Sequence, residues 1–562
     1  MRTYGVLSLC VSVLIHSGVA IAQDVAPLEA GSPAMRGEQP DDPYLPTPPQ
    51  PPRRFIMGGG PVTRGPFVSY QVNVNASGNN IMGDAGNEPS IAINPTDPDN
   101  IVIGWRQFDN VNSNFRQAGR AYSFDGGQTW TNPGVFTPGV FRSDPVLGSD
   151  NDGNIYYYSL SVIQGSFECE MFKSADGGLN WIGPIPAFGG DKAWITVDNT
   201  GGVGEGNIYS AWSTAGNNYF PNQFTRSLDG GQTWPDLVEI PPEQPRWGTL
   251  TVDPTGDLYV CGTDGNDLWV AKSTNAKFAA QSPTFDFTVK VDLGGLLLAF
   301  EGETSPNPGG LLGQMWIASD HSGGPADGNI YALATVDAQG FDPEDVMFAR
   351  SVDGGLTWSE AVRVNDDASF TNAWQWFGTM SVAPNGRIDA IWNDTRNTNQ
   401  ADLSELYYAY SLDAGETWSI NVPASPVFDS HDGWPSQSKL GDYYHMISDN
   451  AAANLAYAAT FNDEQDVYFL RLGDCNNDGV HDGEELADGS AFDVNANGIL
   501  DECECSADLN ADLNGDGNVN AADLAMLLGS WGPCAGCPAD FNGDDQVDAF
   551  DLAQLLGHWG PC

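Results

Sequence analysis

Five copies of one eight-residue pattern punctuate this chain: SFDGGQTW (123–130), SADGGLNW (174–181), SLDGGQTW (227–234), SVDGGLTW (351–358) and SLDAGETW (411–418). Each reads Ser-x-Asp-x-Gly-x-Thr-Trp, with Asn180 in the threonine place of the second copy. A short polar loop with glycine at a fixed offset, set between apolar alternations, is a β-hairpin signal. The aspartate accepts N–H groups of its own turn, glycine supplies the positive φ, and tryptophan anchors the turn between strands. A unit repeated on this scale stacks on copies of itself, because none buries its apolar face alone.

Successive copies start 51, 53, 124 and 60 residues apart, so the third interval holds two units. The degenerate copy is KSTNAKF (272–278), which keeps Ser273 and Asn275 but has lost both glycines. Ahead of the boxes runs a strand, a turn and a second strand, marked by GNIY at 153–156, 206–209 and 328–331 and by GDLY at 256–259. A seventh unit, DYYHMISDNAAANLAYAATF (442–461) with DVYFLRL (466–472), has no box and is one strand short. PFVSYQVNVN (66–75) alternates as a strand does and is expected to complete that unit, closing a ring without a long open edge. The eight-residue pattern resembles the Asp-box, or BNR repeat, of sialidase-like β-propellers. The expectation is an all-β propeller over residues 66–472, four strands to a blade, with seven blades. Six blades is the alternative, because the sialidases it resembles have six.

Composition agrees with this. The 562 residues include 66 glycines and 17 tryptophans, as tight turns and blade-to-blade contacts require. At the N-terminus, Arg2, the apolar run Val6 to Ile15 and the small-x-small site Ala20-Ile-Ala22 read as an export signal over residues 1–22. The apolar run is too short to span a bilayer. Residues 23–65, with PYLPTPPQPPRR, read as an extended and poorly ordered leader. The expected location is therefore extracellular or attached to the cell surface.

The last 89 residues are a different material, holding 19 acidic residues and no Lys or Arg. Such a segment repels itself unless something neutralises it. DLNGDGNVNAAD (512–523) places Asp512, Asn514, Asp516, Asn518, Asn520 and Asp523 at the ligand offsets of a calcium loop. DFNGDDQVDAFD (540–551) repeats this with Asp540, Asn542, Asp544, Gln546, Asp548 and Asp551. Position seven of each loop offers its backbone carbonyl, and each loop runs into a short amphipathic helix. Two such half-units over 505–562 resemble a type I dockerin module. Upstream, Asp474, Asn476, Asp478, Asp482 and Glu485 form a third set, and Asp493, Asn495, Asn497, Asp501 and Glu504 a fourth. These two, over 473–504, look like thrombospondin type 3 calcium repeats. An acidic solvated tail is the plainer alternative for all four. The implied cofactor is Ca2+, and the implied partner of the dockerin-like part is a cohesin-like scaffold.

Six of the nine cysteines crowd into 475–562, as a small exported core requires. The expected pairs are Cys475–Cys503, Cys505–Cys534 and Cys537–Cys562, with other pairings open. Cys534-x-x-Cys537 is a poor zinc or redox motif, having calcium loops on both sides and no nearby histidine pair.

The boxes serve their own turns, so function is expected on the loops around the central channel. Candidates there are Arg106, Asp109, Asp144, Asp191, Lys192, Trp194, Arg246, Trp247, Trp374, Trp376, Asp394, Arg396, Asp442, Tyr443 and Tyr444. Aromatic faces with carboxylates and guanidinium groups suit sugar rings and their anionic substituents. Sialidase-like catalysis would further require three arginines on one carboxylate and a tyrosine nucleophile assisted by glutamate. Only Arg106, Arg246 and Arg396 suggest themselves, and RRFI (53–56), the nearest string to the family's opening motif, lies in the leader.

Three readings follow. One is an exported propeller that binds glycans or other surface polymers and is tethered by the calcium module. Another is a sialidase-like glycoside hydrolase acting on extracellular polysaccharide, and the third is a protein-docking or adhesion platform. Nucleic acid is excluded as a partner by a net charge of −52.

Overall fold

The computed structural model describes residues 60–562, apart from 243, 339–341, 370, 494, 502, 504–510, 512, 515–517, 535–536, 543–545, 558–559 and 562. The expected export signal (1–22) and nearly all of the expected leader lie outside the described residues. So do the predicted ligands Asp512, Asp516, Asp544 and Glu504, and the cysteines Cys505 and Cys562.

Seven antiparallel sheets form a seven-bladed β-propeller. Their inner strands are Ala85–Asn94, Ser143–Ser149, Asp191–Val197, Leu250–Val252, Trp316–Ser319, Gln375–Val382 and His445–Ser448. Each pairs with the next strand in sequence, as short hairpin connections dictate. In blades 1 and 3 the outermost position shrinks to single bridges, Tyr122 to Thr131 and Phe224 to Val238. The ring closes as expected. Phe67–Gln71 lies antiparallel on Asp466–Leu472, with Ser69 opposite Leu470. One boundary moves: Val62–Arg64, assigned to the unordered leader, pairs with Phe67–Gln71 as a fifth strand of blade 7. A two-residue turn after Arg64 makes that pairing local and entropically cheap.

The boxes sit where the third strand of a blade turns toward the fourth. In the first, Ser123 Oγ donates to Asp125 Oδ1 at 2.7 Å, and Thr129 N and Oγ1 donate to the two Asp125 oxygens at 2.9 and 2.6 Å. Trp130 Nε1 returns to Gly127 O at 2.9 Å, and its ring lies 5.7 Å from that of Phe469 in blade 7. Gly127 has φ +88° and Phe469 directly over it, so a Cβ there would strike the ring. The degenerate copy keeps part of the pattern: Ser273 Oγ donates to Asn275 Oδ1 at 3.1 Å. Every box carboxylate thus spends its lone pairs on its own turn.

Among the described residues, helix is confined to α1 (Asp482–Asp488), α2 (Ala521–Gly529) and α3 (Ala549–Gly557). Leu527 and Leu555 are buried in one small core with Val519 and Val547. The two halves are tied reciprocally, Asn518–Val519 to Gly560–Pro561 and Gly532–Pro533 to Gln546–Val547. Cys475–Cys503 forms as expected. Cys534 instead pairs with Cys537, which overturns both Cys505–Cys534 and Cys537–Cys562. The reason is geometric. Cys537 N donates to Cys534 O in a turn that brings the two Cα atoms to 5.6 Å, within disulfide reach. The strand pairs already fasten the beginning of each half to the end of the other.

Candidate functional site

Call the upper face the one where the inner strands begin. There the inner strands of blades 1, 2, 3 and 6 break register, between Asn87 and Ser90, Ser143 and Val146, Asp191 and Trp194, and Trp376 and Thr379. In each break one non-glycine residue takes positive φ: Glu88 (48°), Asp144 (43°), Lys192 (52°) and Phe377 (60°). Trp247 (58°) does so just ahead of the inner strand of blade 4. Such a conformation costs about 1–3 kcal/mol per residue, and a bulge re-aims the side chain it carries. Five uses of one strained device around a ring mark this face as the candidate site.

Three of these side chains, Glu88, Asp144 and Lys192, meet across the axis. Lys192 Nζ of blade 3 lies 2.6 Å from Asp442 of blade 7, 3.3 Å from Asp144 of blade 2 and 3.6 Å from Glu88 of blade 1. Lys439 Nζ lies 2.6 Å from Asp442 and 3.5 Å from Glu88, and Arg106 Nε 3.2 Å from Glu88. All six are buried. Burial pushes the Glu88 carboxyl well above its usual range in spite of Arg106 and Lys192. Burial works on Asp442 too, yet Lys192 and Lys439, bracketing it, hold it well below the ordinary carboxylate value. Glu88 therefore holds a proton more strongly than Asp442 does. The knot gathers three cations, Arg106, Lys192 and Lys439, and three carboxyl groups, Glu88, Asp144 and Asp442.

Two long connections, 297–315 and 429–442, roof this knot. Gly309 N donates to Ser438 O at 2.7 Å, Asn307 Nδ2 to Gly441 O at 2.8 Å, and Leu311 N to Asp442 Oδ1 at 2.9 Å. Gln437 joins the roof to blade 1, accepting from Arg106 Nη2 at 3.1 Å and donating to Asn114 Oδ1 at 2.6 Å.

Of the predicted candidates, Arg106, Asp144, Lys192 and Asp442 are drawn together here, and Asp191 starts the same bulge as Lys192. Tyr443 is buried beside them, its hydroxyl donating to Pro145 O at 2.9 Å and its ring edge-on to Trp194. Asp109 lies at the end of blade 1's second strand, accepting from Gln117 at 3.0 Å. The remaining candidates go elsewhere. Trp376 is core, its indole donating to Ser404 at 3.0 Å, and Tyr444 donates to Ala458 O at 2.7 Å. Trp374 N donates to Thr395 Oγ1 at 2.8 Å, outside the knot. Arg246 lies along the ring of Trp247, 5.2 Å from its centre. Arg396 pairs with Asp366 and Asp394 over the ring of Tyr407. The three arginines thus keep three separate partner sets.

Sequence reasoning missed Glu88, Lys439 and the roof residues Asn307 and Gln437. A signal for Glu88 existed, since Glu88-Pro89 and Asp144-Pro145 are the same acid–proline pair opening consecutive blades. Lys439 sits in a connection with no counterpart in the other units.

In the acidic tail, the closing residues fold over their loops. Asp523 accepts from Asn514 N at 3.2 Å and Asn520 N at 2.8 Å, and Asp551 from Phe541 N and Asp548 N at 2.8 Å each. Upstream, Asp474 accepts from Gly479 N at 3.4 Å, Asn476 from Asp478 N at 3.1 Å and Asp478 from Val480 N at 2.8 Å. Asp482 accepts from Cys475 N at 2.9 Å, and Glu485 from Asn476 Nδ2 at 3.3 Å. Asp493 accepts from Gly498 N at 2.8 Å, Asn495 from Asn497 N at 3.0 Å and Asn497 from Ile499 N at 3.0 Å, while Asp501 N donates to Phe492 O. Among the described residues, no three carboxylates of these loops bring an oxygen each within 4.8 Å of one another.

The BNR/Asp-box repeat family model matches residues 121–132. Among solved structures, the chain is similar to a protein of unknown function from Dyadobacter fermentans, at 14% identity over 72% of this chain and 97% of that one, with a TM-score of 0.41. It is also similar to a Hadza microbial sialidase (12% identity, 72% and 68% covered, TM-score 0.37) and to the endosialidase of phage phi92 (10%, 74% and 69%, 0.40). The comparison with curated proteins gave no match.

Proposed function

We propose that this is an exported propeller that recognises glycans or other surface polymers at its upper face and is tethered through its calcium-dependent C-terminal module. The observation that carries the reading is the axial knot. In a chain of net charge −52, Arg106, Lys192 and Lys439 are gathered at one point around Glu88. Cations held rigidly in low dielectric favour a carboxylate or sulfate substituent. Aromatic side chains at the rim, Phe188, Tyr219 and the exposed Phe220, suit a sugar ring. Binding is preferred over hydrolysis because the acids at the axis are engaged by lysines and Tyr443 is committed to a carbonyl. The loops around Asp523 and Asp551, with the two upstream, would take calcium and supply no chemistry beyond order.

The hydrolase reading rests on one observation, a hydrogen bond from the Tyr219 hydroxyl to the Glu168 carboxylate at the upper rim. Burial and that carboxylate push the phenol up, away from nucleophile character.

The test is retention of the calcium-loaded full chain on immobilised acidic and neutral polysaccharides, with product release followed in parallel. The expected result is salt-sensitive binding to an acidic polymer, weakened at least about tenfold in Lys439→Met, with no release of reducing ends. Turnover that disappears in Tyr219→Phe would replace binding with hydrolysis. Absence of retention on any polymer would overturn both readings.

A further inference from the structure

A second polar cluster, unused by the axial knot, lies where the first and last blades meet. Asp84 directly precedes the inner strand of blade 1, and Glu464 and Asp466 open the third strand of blade 7. Asn73 and Asn80 reach it from the segment that closes the ring. Asp84, Glu464 and Asp466 are 5%, 3% and 0% exposed. Asp84 Oδ2 accepts from Gln107 Nε2 at 2.9 Å, whereas the buried Asp84 Oδ1 receives no hydrogen bond. Asp466 takes the amide groups of Asn73 and Asn462, and Glu464 takes Gly83 N at 2.6 Å and Asn80 Nδ2 at 2.9 Å.

Among the described residues, no ion pair involves any of the three carboxyl groups and no hydrogen bond joins one to another. The charges bearing on Asp84 are Asp466 and Glu464, both of its own sign. Buried carboxylates without a counter-charge are strongly unfavourable, and side by side they are worse.

We propose that Asp84 and Asp466 together bind a hard divalent cation of the calcium class at the seam of the ring. The donors are carboxylate oxygens, among them the unpartnered Asp84 Oδ1, the hard chemistry that selects calcium over softer metals. One oxygen from each of the three acids does not come within 4.8 Å of the others, so not all three ligate at once; Asp84, with its unpartnered Oδ1, and Asp466 are taken as direct ligands and Glu464 as one through water. Calcium takes about six to eight oxygens and accepts water among them. The ion ties blade 1 to blade 7 beside the closing strand Phe67–Gln71 and is independent of the C-terminal loops.

The experiment uses the full chain, counting bound calcium by equilibrium dialysis and following melting through the near-ultraviolet aromatic signal of the propeller. Three proteins are compared: wild type, Asp84→Asn with Asp466→Asn, and Asp523→Asn with Asp551→Asn. The seam variant is expected to bind one ion fewer than wild type and to lose the calcium-dependent rise in propeller melting. In chelator Asp84→Asn alone should melt no lower than wild type, since it keeps the Gln107 contact and removes repulsion, whereas Asp466→Asn also gives up a hydrogen bond from Asn73 or Asn462. The tail variant should keep the rise. A seam variant with the wild-type ion count and rise overturns the proposal, as does a wild-type propeller whose melting ignores calcium. Should the double variant fail to fold, Asp84→Asn alone makes the same comparison.

Discussion

Lys192 engages carboxyl groups from three other blades, so its removal takes from Asp144 its cation and leaves Asp442 to Lys439. Lys192→Met should destabilise the protein by about 3–5 kcal/mol in urea unfolding, the usual result of leaving a buried partner unpaired. Glu88→Gln should cost less, under about 1 kcal/mol, because burial raises the native carboxyl and the amide keeps its shape. Equal effects of the two would refute this ranking. Glu344 is the opposite case. It is fully buried, neither oxygen has a partner, and burial with Glu301, Asp337 and Asp345 nearby pushes its carboxyl well above the usual range. A raised folded value means that native stability is full below the unfolded pKa of about 4.3 and is lost as pH rises through the folded one. Glu344→Met should therefore gain on wild type with rising pH, by about 1–3 kcal/mol near pH 8. A melting difference that is flat from pH 4 to 8 would refute this.

The element that ties propeller to tail is α1. His481 caps it, accepting from Gly483 N at 3.0 Å, and its other ring nitrogen meets Tyr408 Oη at 2.8 Å. Burial holds this imidazole down at about 3, so it stays neutral among Tyr408, Tyr410 and Asp389. Arg387 and Asn385 reach Glu484 from the other side. The first acidic repeat is thus built into blade 6, and a chain ended at 472 would open Tyr408 and Asp389 to water. Such a truncation should lower propeller melting by about 5 °C or more, as judged by near-ultraviolet dichroism. An unchanged melting point would show that the contact contributes nothing.

Across the whole molecule, ring closure joins residues near 70 to residues near 470, and the axial knot joins Glu88 to Asp442. What could be read beforehand was whatever is local. Ser-x-Asp-x-Gly-x-Thr-Trp specifies its turn within eight residues, and alternation specifies strands, so blade number, box geometry and the closing strand were legible. The first disulfide and the helices after the acidic loops were legible for the same reason. The Cys534–Cys537 pair was misjudged because fastening the two halves fell to strand pairing, which two-residue strands scarcely announce.

The site was half legible. Acid and base positions at strand ends were visible, but which of them converge depends on which side chains a bulge turns inward. Asp191 and Lys192 are neighbours, and the register break between Asp191 and Trp194 gives Lys192 the positive φ and carries its ammonium to Asp442 across the axis. The amino-acid sequence alone thus determined the repeating sheet, its count and its acidic appendage, because these follow from periodicity and short-range turn chemistry. Only the tertiary structure decided that Glu88, Lys192, Lys439 and Asp442 share one buried point. Their contacts cross the axis between distant blades, and no local pattern encodes a distance across a ring.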